Sequence, residues 1–315
     1  MVSGSKAMSL YEILQNFYIY GFLGWCAEVA FAAVKEKKFV NRGFLNGPIC
    51  PIYGIGVTAV IGALAAYRGS LPVLYLLSVI LVTLLEWITG FLLEKLFHHR
   101  WWDYSRMPLN IGGYVCVLFS LIWGICCVVI VRFVHPAIAA VCSFLPRWLG
   151  WSLSALFGAV LIADLYVTVS NILKFNRTLA QMEALGAELH RISDMLGENI
   201  YRNMKEGMEL QELVKSKAGQ TAEDMRAKAE DIRERAGQTA EEIRIKAEQR
   251  AEEMRNRYLS LKQKYQETAE GLSLVNRRLL KAFPLMKPSR YETEFADLKQ
   301  QLGRLRKKTK ANRKK

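Results

Sequence analysis

The chain has 315 residues, 51% of them hydrophobic, and a formal net charge of +14. Only 11 of its 43 basic and 7 of its 29 acidic residues fall in 1–173. That division excludes one uniform soluble domain and gives an apolar half joined to a highly charged half.

Taken in chain order, the apolar half predicts five helices near the ~20 residues needed to cross ~30 Å of hydrocarbon. They run roughly Tyr11–Val34, Ile52–Tyr67, Leu71–Phe97, Ile111–Val134 and Trp151–Leu173. The second follows Pro48, Pro51 and several Gly, and reads as short or partly re-entrant. The first is too long and too acidic, with Glu12 and Glu28, for a cleaved signal peptide. Lys and Arg gather after the first segment (Lys35, Lys37, Lys38, Arg42), after the third (Arg100, Arg106) and after the fifth. Positive charge stays on the cytoplasmic side, so the expected topology is multi-pass in the cell membrane, N-terminus outside and C-terminus cytoplasmic. Cys26, Cys50, Cys116, Cys126, Cys127 and Cys142 lie in or near these segments without a CxxC pair, as small packing residues do.

The charged half reads as a cytoplasmic helical or coiled-coil extension, 174–283, followed by a short helix and basic tail, 284–315. No Pro occurs between Pro146 and Pro284. Met182, Leu185, Leu189, Ile192 and Leu196 form a heptad seam. AGQTAE occurs at 218–223 and again at 236–241, a period of 18 residues, which at ~3.6 per turn returns each residue to the same helix face. An unbroken helix would reach about 160 Å at ~1.5 Å per residue, and the glycines along it allow a fold-back. The tail GRLRKKTKANRKK fits anionic lipid headgroups better than nucleic acid on a chain anchored this way.

Ionisable groups inside a spanning helix are costly and face the bundle or a wet cavity. Glu28 follows Gly21 and Gly24 at helical spacing, and Glu86, Gly90 and Glu94 repeat the arrangement. Cys116, Ser120, Gly124 and Cys127 make a third small-residue face, and the simplest packing brings these faces together. With Asn41, Arg42, Asn46, Asp103, Arg106 and Asn110 emerging on the same side, Glu28, Glu86 and Glu94 predict a polar pocket open to the cytoplasm, or a set of buried ion pairs. Asp164 is a further acid able to pair with it. In HHRWWDYSRMPLN, Trp101, Trp102 and Tyr104 read as interface anchors, while Asp103 and Arg106 are expected to turn inward.

No G-x-x-x-x-G-K-[ST] loop and no G-x-S-x-G elbow appears, so no catalytic residue is assigned and no cofactor is expected. Glu94 and His98, four apart, are too slight a pattern to assign a metal.

GFLGWCAE at Gly21–Glu28, NRGFLNGPICPIYGIG at Asn41–Gly56, EWITGFLLE at Glu86–Glu94, WWDYS at Trp101–Ser105 and NIGGYVCVLFSLIWG at Asn110–Gly124 resemble the bacterial membrane family called putative ABC-transporter type IV. RLLKAFPLMKPSRY at Arg278–Tyr291 looks like the continuation found in many members. The resemblance implies a permease-like membrane subunit, energised by a separate ATPase and working as a homo- or hetero-oligomer. Two other functions fit the residues: a membrane-anchored scaffold or signalling protein using the charged helix, and an intramembrane enzyme acting on a lipid-like substrate.

Overall fold

The computed structural model describes residues 8–217 and 224–312, and the chain divides into two units, 1–177 with 272–296, and 178–271 with 297–315. In the first unit, helix α1 (Leu10–Glu36) opens on a capping box: Ser9 Oγ accepts the Glu12 amide while the Glu12 carboxylate accepts the Ser9 amide. It closes on Lys37 at φ 51°. An irregular loop leads to α2 (Pro51–Ala63), whose Pro51 occupies a position that needs no amide donor. Helix α3 (Leu71–Phe97) ends at His98, again at positive φ, followed by strand β1 (His99–Arg100).

Strands β2 (Asn110–Ile111) and β3 (Val115–Cys116) pair as a small hairpin whose turn uses Gly112 and Gly113 at φ 62° and 75°. The fourth apolar helix therefore begins at Val117, later than the hydropathy suggests, and it extends further, to Ser143. It comprises α4 (Val117–Val129), a wide π-type turn over Ile130–Val134 and α5 (His135–Ser143). Pro136 would end an ordinary helix, but the wide turn, with the His135 amide bonded to Ile130 O, accommodates it. Helix α6 (Arg147–Lys217) carries the last apolar stretch.

Among the described residues, four helices, Leu10–Glu36, Leu71–Phe97, Val117–Ser143 and the apolar part of α6, are long and apolar enough to cross a membrane. At 13 residues, α2 reaches only about 20 Å at ~1.5 Å per residue, so the expected five become four long helices and one short. The Cys50 amide bonds to Gly21 O at 2.9 Å, level with the middle of α1. The 37–50 loop thus turns back along α1 by fifteen residues from Glu36, about 22 Å. Near the other end of the bundle, Tyr20, Val60, Ile61, Leu64, Leu74, Cys127 and Val131 form the core.

Helix α8 (Leu274–Ala282) and strand β4 (Lys287–Pro288) belong to the first unit, where β4 pairs antiparallel with β1, His99 opposite Pro288. Residues 272–296 are therefore a strap on the apolar domain, although the sequence pattern joins 272–283 to the charged extension and 284–296 to the C-terminal tail.

In the second unit, α6 beyond Arg177 and α7 (Asp224–Glu270) run antiparallel: Glu188 pairs with Arg257 at 2.6 Å and Gly186 faces Tyr265. Met182 and Ile192 of the heptad seam are buried, with Leu185, Leu189 and Leu196 half-buried. Leu261 and Ala269 are buried on α7, as is Leu298 on α9 (Glu292–Asn312). The helix is not continuous to Phe283: α7 ends at Glu270, and Ser273 caps α8 by accepting the Asn276 amide. The first AGQTAE copy and the last three tail residues lie outside the described residues; the second copy lies within α7.

Candidate functional site

The site is built on the 37–50 loop. Irregular backbone at bundle depth requires every amide and carbonyl to find a partner inside the protein. Asn41 supplies part of the answer. Its Oδ1 accepts Trp25 Nε1 at 2.8 Å and the Gly43 amide at 3.0 Å, and its Nδ2 donates to Asn46 O at 2.7 Å. Asp164 of α6 supplies more, accepting the Asn46 amide (3.1 Å), Asn46 Nδ2 (2.8 Å) and the Gly47 amide (2.6 Å). Thr168, one turn on, accepts Asn46 Nδ2 as well. From the strap, Arg278 donates to Gly43 O (2.8 Å), Phe44 O (3.0 Å) and Asn46 Oδ1 (3.1 Å). Burial lowers the Arg278 pKa, and the Asp164 charge opposes that shift.

Beside the loop, Glu28 accepts Tyr53 Oη at 2.6 Å and pairs with Arg42 Nε at 3.3 Å, while the Arg42 guanidinium lies over Phe31. Oε2 of Glu86 is buried without a hydrogen-bond partner. The Tyr104 hydroxyl lies beside Glu86, and burial followed by that negative charge raises the Tyr104 pKa. Tyr53 feels both carboxylates.

A third group joins the strap to the loop after α3. Glu94 accepts Arg100 Nε and Ser289 Oγ, each at 2.8 Å, and Arg100 stacks over Tyr114. Asp103 accepts Lys287 Nζ at 2.6 Å together with the Ser105 amide and hydroxyl. The Lys287 ammonium, then Ser105, hold its carboxyl well below the usual range. His99 is buried between Phe175 and Phe295, and burial, opposed by the neighbouring Asn176 side chain, pushes its pKa down to about 4.

The geometry brings Asn41 and Asn46 together around the loop, pairs Glu28 with Arg42, and gathers Glu94 with Asp103 through Arg100. Arg106 stands apart: it is exposed and makes no contact with the cluster, so of the two residues expected to turn inward only Asp103 does. Asn110 shapes its own hairpin, donating to Met107 O and accepting the Gly113 amide. Trp101 is buried against Phe44 and Phe283, not held outward as an anchor. Trp102 and Tyr104 are half-buried, with Trp102 Nε1 donating to Tyr114 O.

The small-residue faces do not meet one another. Gly21 and Gly24 receive Ile49 and Tyr53, Gly90 receives Tyr114 and Trp102, and Gly124 receives Val79 and Tyr75. Large side chains from the neighbouring segment fill each notch. Tyr53, Thr168, Arg278, Lys287 and Ser289 were missing from the sequence-based set. Apart from the family-like segment Arg278–Tyr291, their signal was slight, since their partners lie up to 235 positions away.

Residues 15–169 match the family described as Putative ABC-transporter type IV. That stretch of the chain is similar to the family. Comparison with curated proteins and with solved structures gave no match. The matched residues hold the loop, Asp164, Glu28, Glu86, Glu94 and Asp103, so the ABC-transporter type IV region contains most of the polar site. Family and long apolar helices together mark a membrane protein.

Proposed function

We propose that this chain is the permease-like membrane subunit of an ABC-type transporter, energised by a separate ATPase. The observation that carries the reading is the polar loop folded back among long apolar helices, within the family-matched residues. Such backbone is costly in a bilayer and is tolerated only where it is buried in protein or lines a water-filled cavity, and polar groups kept there mark substrate paths in transporters. Glu86, with one buried carboxylate oxygen left without a partner beside Tyr104, is a group available to interact with cargo. In this reading the loop end faces the cytoplasm, where Arg42, Arg100 and Lys287 satisfy the positive-inside rule. The antiparallel helix pair of the second unit would then be a cytoplasmic element for assembly.

The test is purification of the tagged full-length chain from native membrane in mild detergent, with ATP hydrolysis measured on the eluate. A stoichiometric ATPase should co-purify. An eluate without ATPase, from preparations that retain other membrane complexes, would overturn the transporter reading. It would favour the membrane-anchored scaffold.

A further inference from the structure

The recess that receives Arg278 is made by Gly43 O, Phe44 O and Asn46 Oδ1, with Asp164 immediately behind Asn46. Three features set it apart from an ordinary buried ion pair. First, it is a set of oxygen acceptors with none of its own cations: Asp164 is bonded to the Asn46 and Gly47 amides, the Asn46 side-chain amide and the Thr168 hydroxyl, all neutral donors. No ion pair to Asp164 occurs among the described residues, so its charge is left for a cation beyond Asn46. Second, the acceptors suit a planar cation with several N–H groups, because Nε, Nη1 and Nη2 each meet a different oxygen at 2.8–3.1 Å. Third, the recess is complete within residues 43–47 and 164, whereas its occupant arrives on a nine-residue helix from position 278.

We propose that this recess is a guanidinium-binding site, and that Arg278 is a tethered occupant which a small ligand carrying a guanidinium or amidinium group replaces when the strap lifts. The inference deepens the transporter reading by giving the path a cargo class. It also stands without that reading, because binding is measured on this chain alone.

The experiment uses full-length Arg278→Ala protein in detergent, with guanidinium chloride at low millimolar concentration as the probe. Sodium chloride and tetramethylammonium chloride at equal ionic strength are controls. Arg278→Ala should show saturable, guanidinium-specific thermal stabilisation. Wild type, whose recess is filled, should show at least tenfold weaker apparent affinity, and Arg278→Ala with Asp164→Asn should lose the effect. If Arg278→Ala fails to fold alone, its folded yield should rise with guanidinium in the growth and purification buffers, but not with the controls. Equal stabilisation by all three salts, equal response of wild type, or no rescue of folding would each overturn the proposal. Binding without a co-purifying ATPase would leave the guanidinium site standing and remove the transporter.

Discussion

Asp164 shows how one side chain can set a segment's path. Its two oxygens accept two consecutive amides, Asn46 and Gly47, and the Asn46 side chain. An amide at this position has one acceptor oxygen and presents an NH2 group to the remaining donor. Asp164→Asn is therefore expected to destabilise the protein by about 3 kcal/mol in thermal or denaturant unfolding, the scale of hydrogen bonds to a buried charge. Arg106→Ala, at an exposed residue with no partner in the cluster, should stay within about 0.5 kcal/mol. The sequence made Asp164 visible as an acid inside an apolar run. It could not show that the partners are backbone amides, because amides carry no residue signature. Arg106 and Arg100 look alike in the sequence, and only the pairing of β1 with β4 decides which one meets Glu94.

At the scale of elements, α1 and α2 approach closely because Gly24 takes Tyr53 and Gly54 takes Phe17. A Cβ on Gly54 would lie 2.6 Å from Phe17 O, a backbone atom unable to swing aside. Gly54→Ala should cost about 1–3 kcal/mol, as overpacking does. By contrast, Gly197→Ala on α6 meets nothing within 4 Å and should gain up to about 1 kcal/mol from helix propensity. Unfolding of the two variants beside wild type checks both signs. Long hydrophobic runs and the glycine and proline before α2 were legible. The delayed start of the fourth helix was not, since Ile111–Cys116 is apolar enough for helix, and only the positive-φ glycines reveal the hairpin.

The whole chain alternates between its two units: apolar domain, helix pair, strap, and final helix. The composition breaks near 173, and the first stretch of the first unit runs to Arg177. The return of 272–296 was only partly readable: Arg278–Tyr291 carries the family likeness, but its partners, the 37–50 loop and β1, lie more than 180 positions away. The central claim is that a polar loop is held inside the bundle by Asp164 and the strap. Native Cys50, 5% exposed at the loop's inner end, reports it directly. With the other five cysteines replaced, labelling of Cys50 by a membrane-impermeant maleimide in proteoliposomes is expected to be at least tenfold slower than that of a cysteine placed at the exposed Phe39. It should accelerate in the Asp164→Asn background. Cys50 labelling as fast as position 39 in the otherwise native chain would contradict the account.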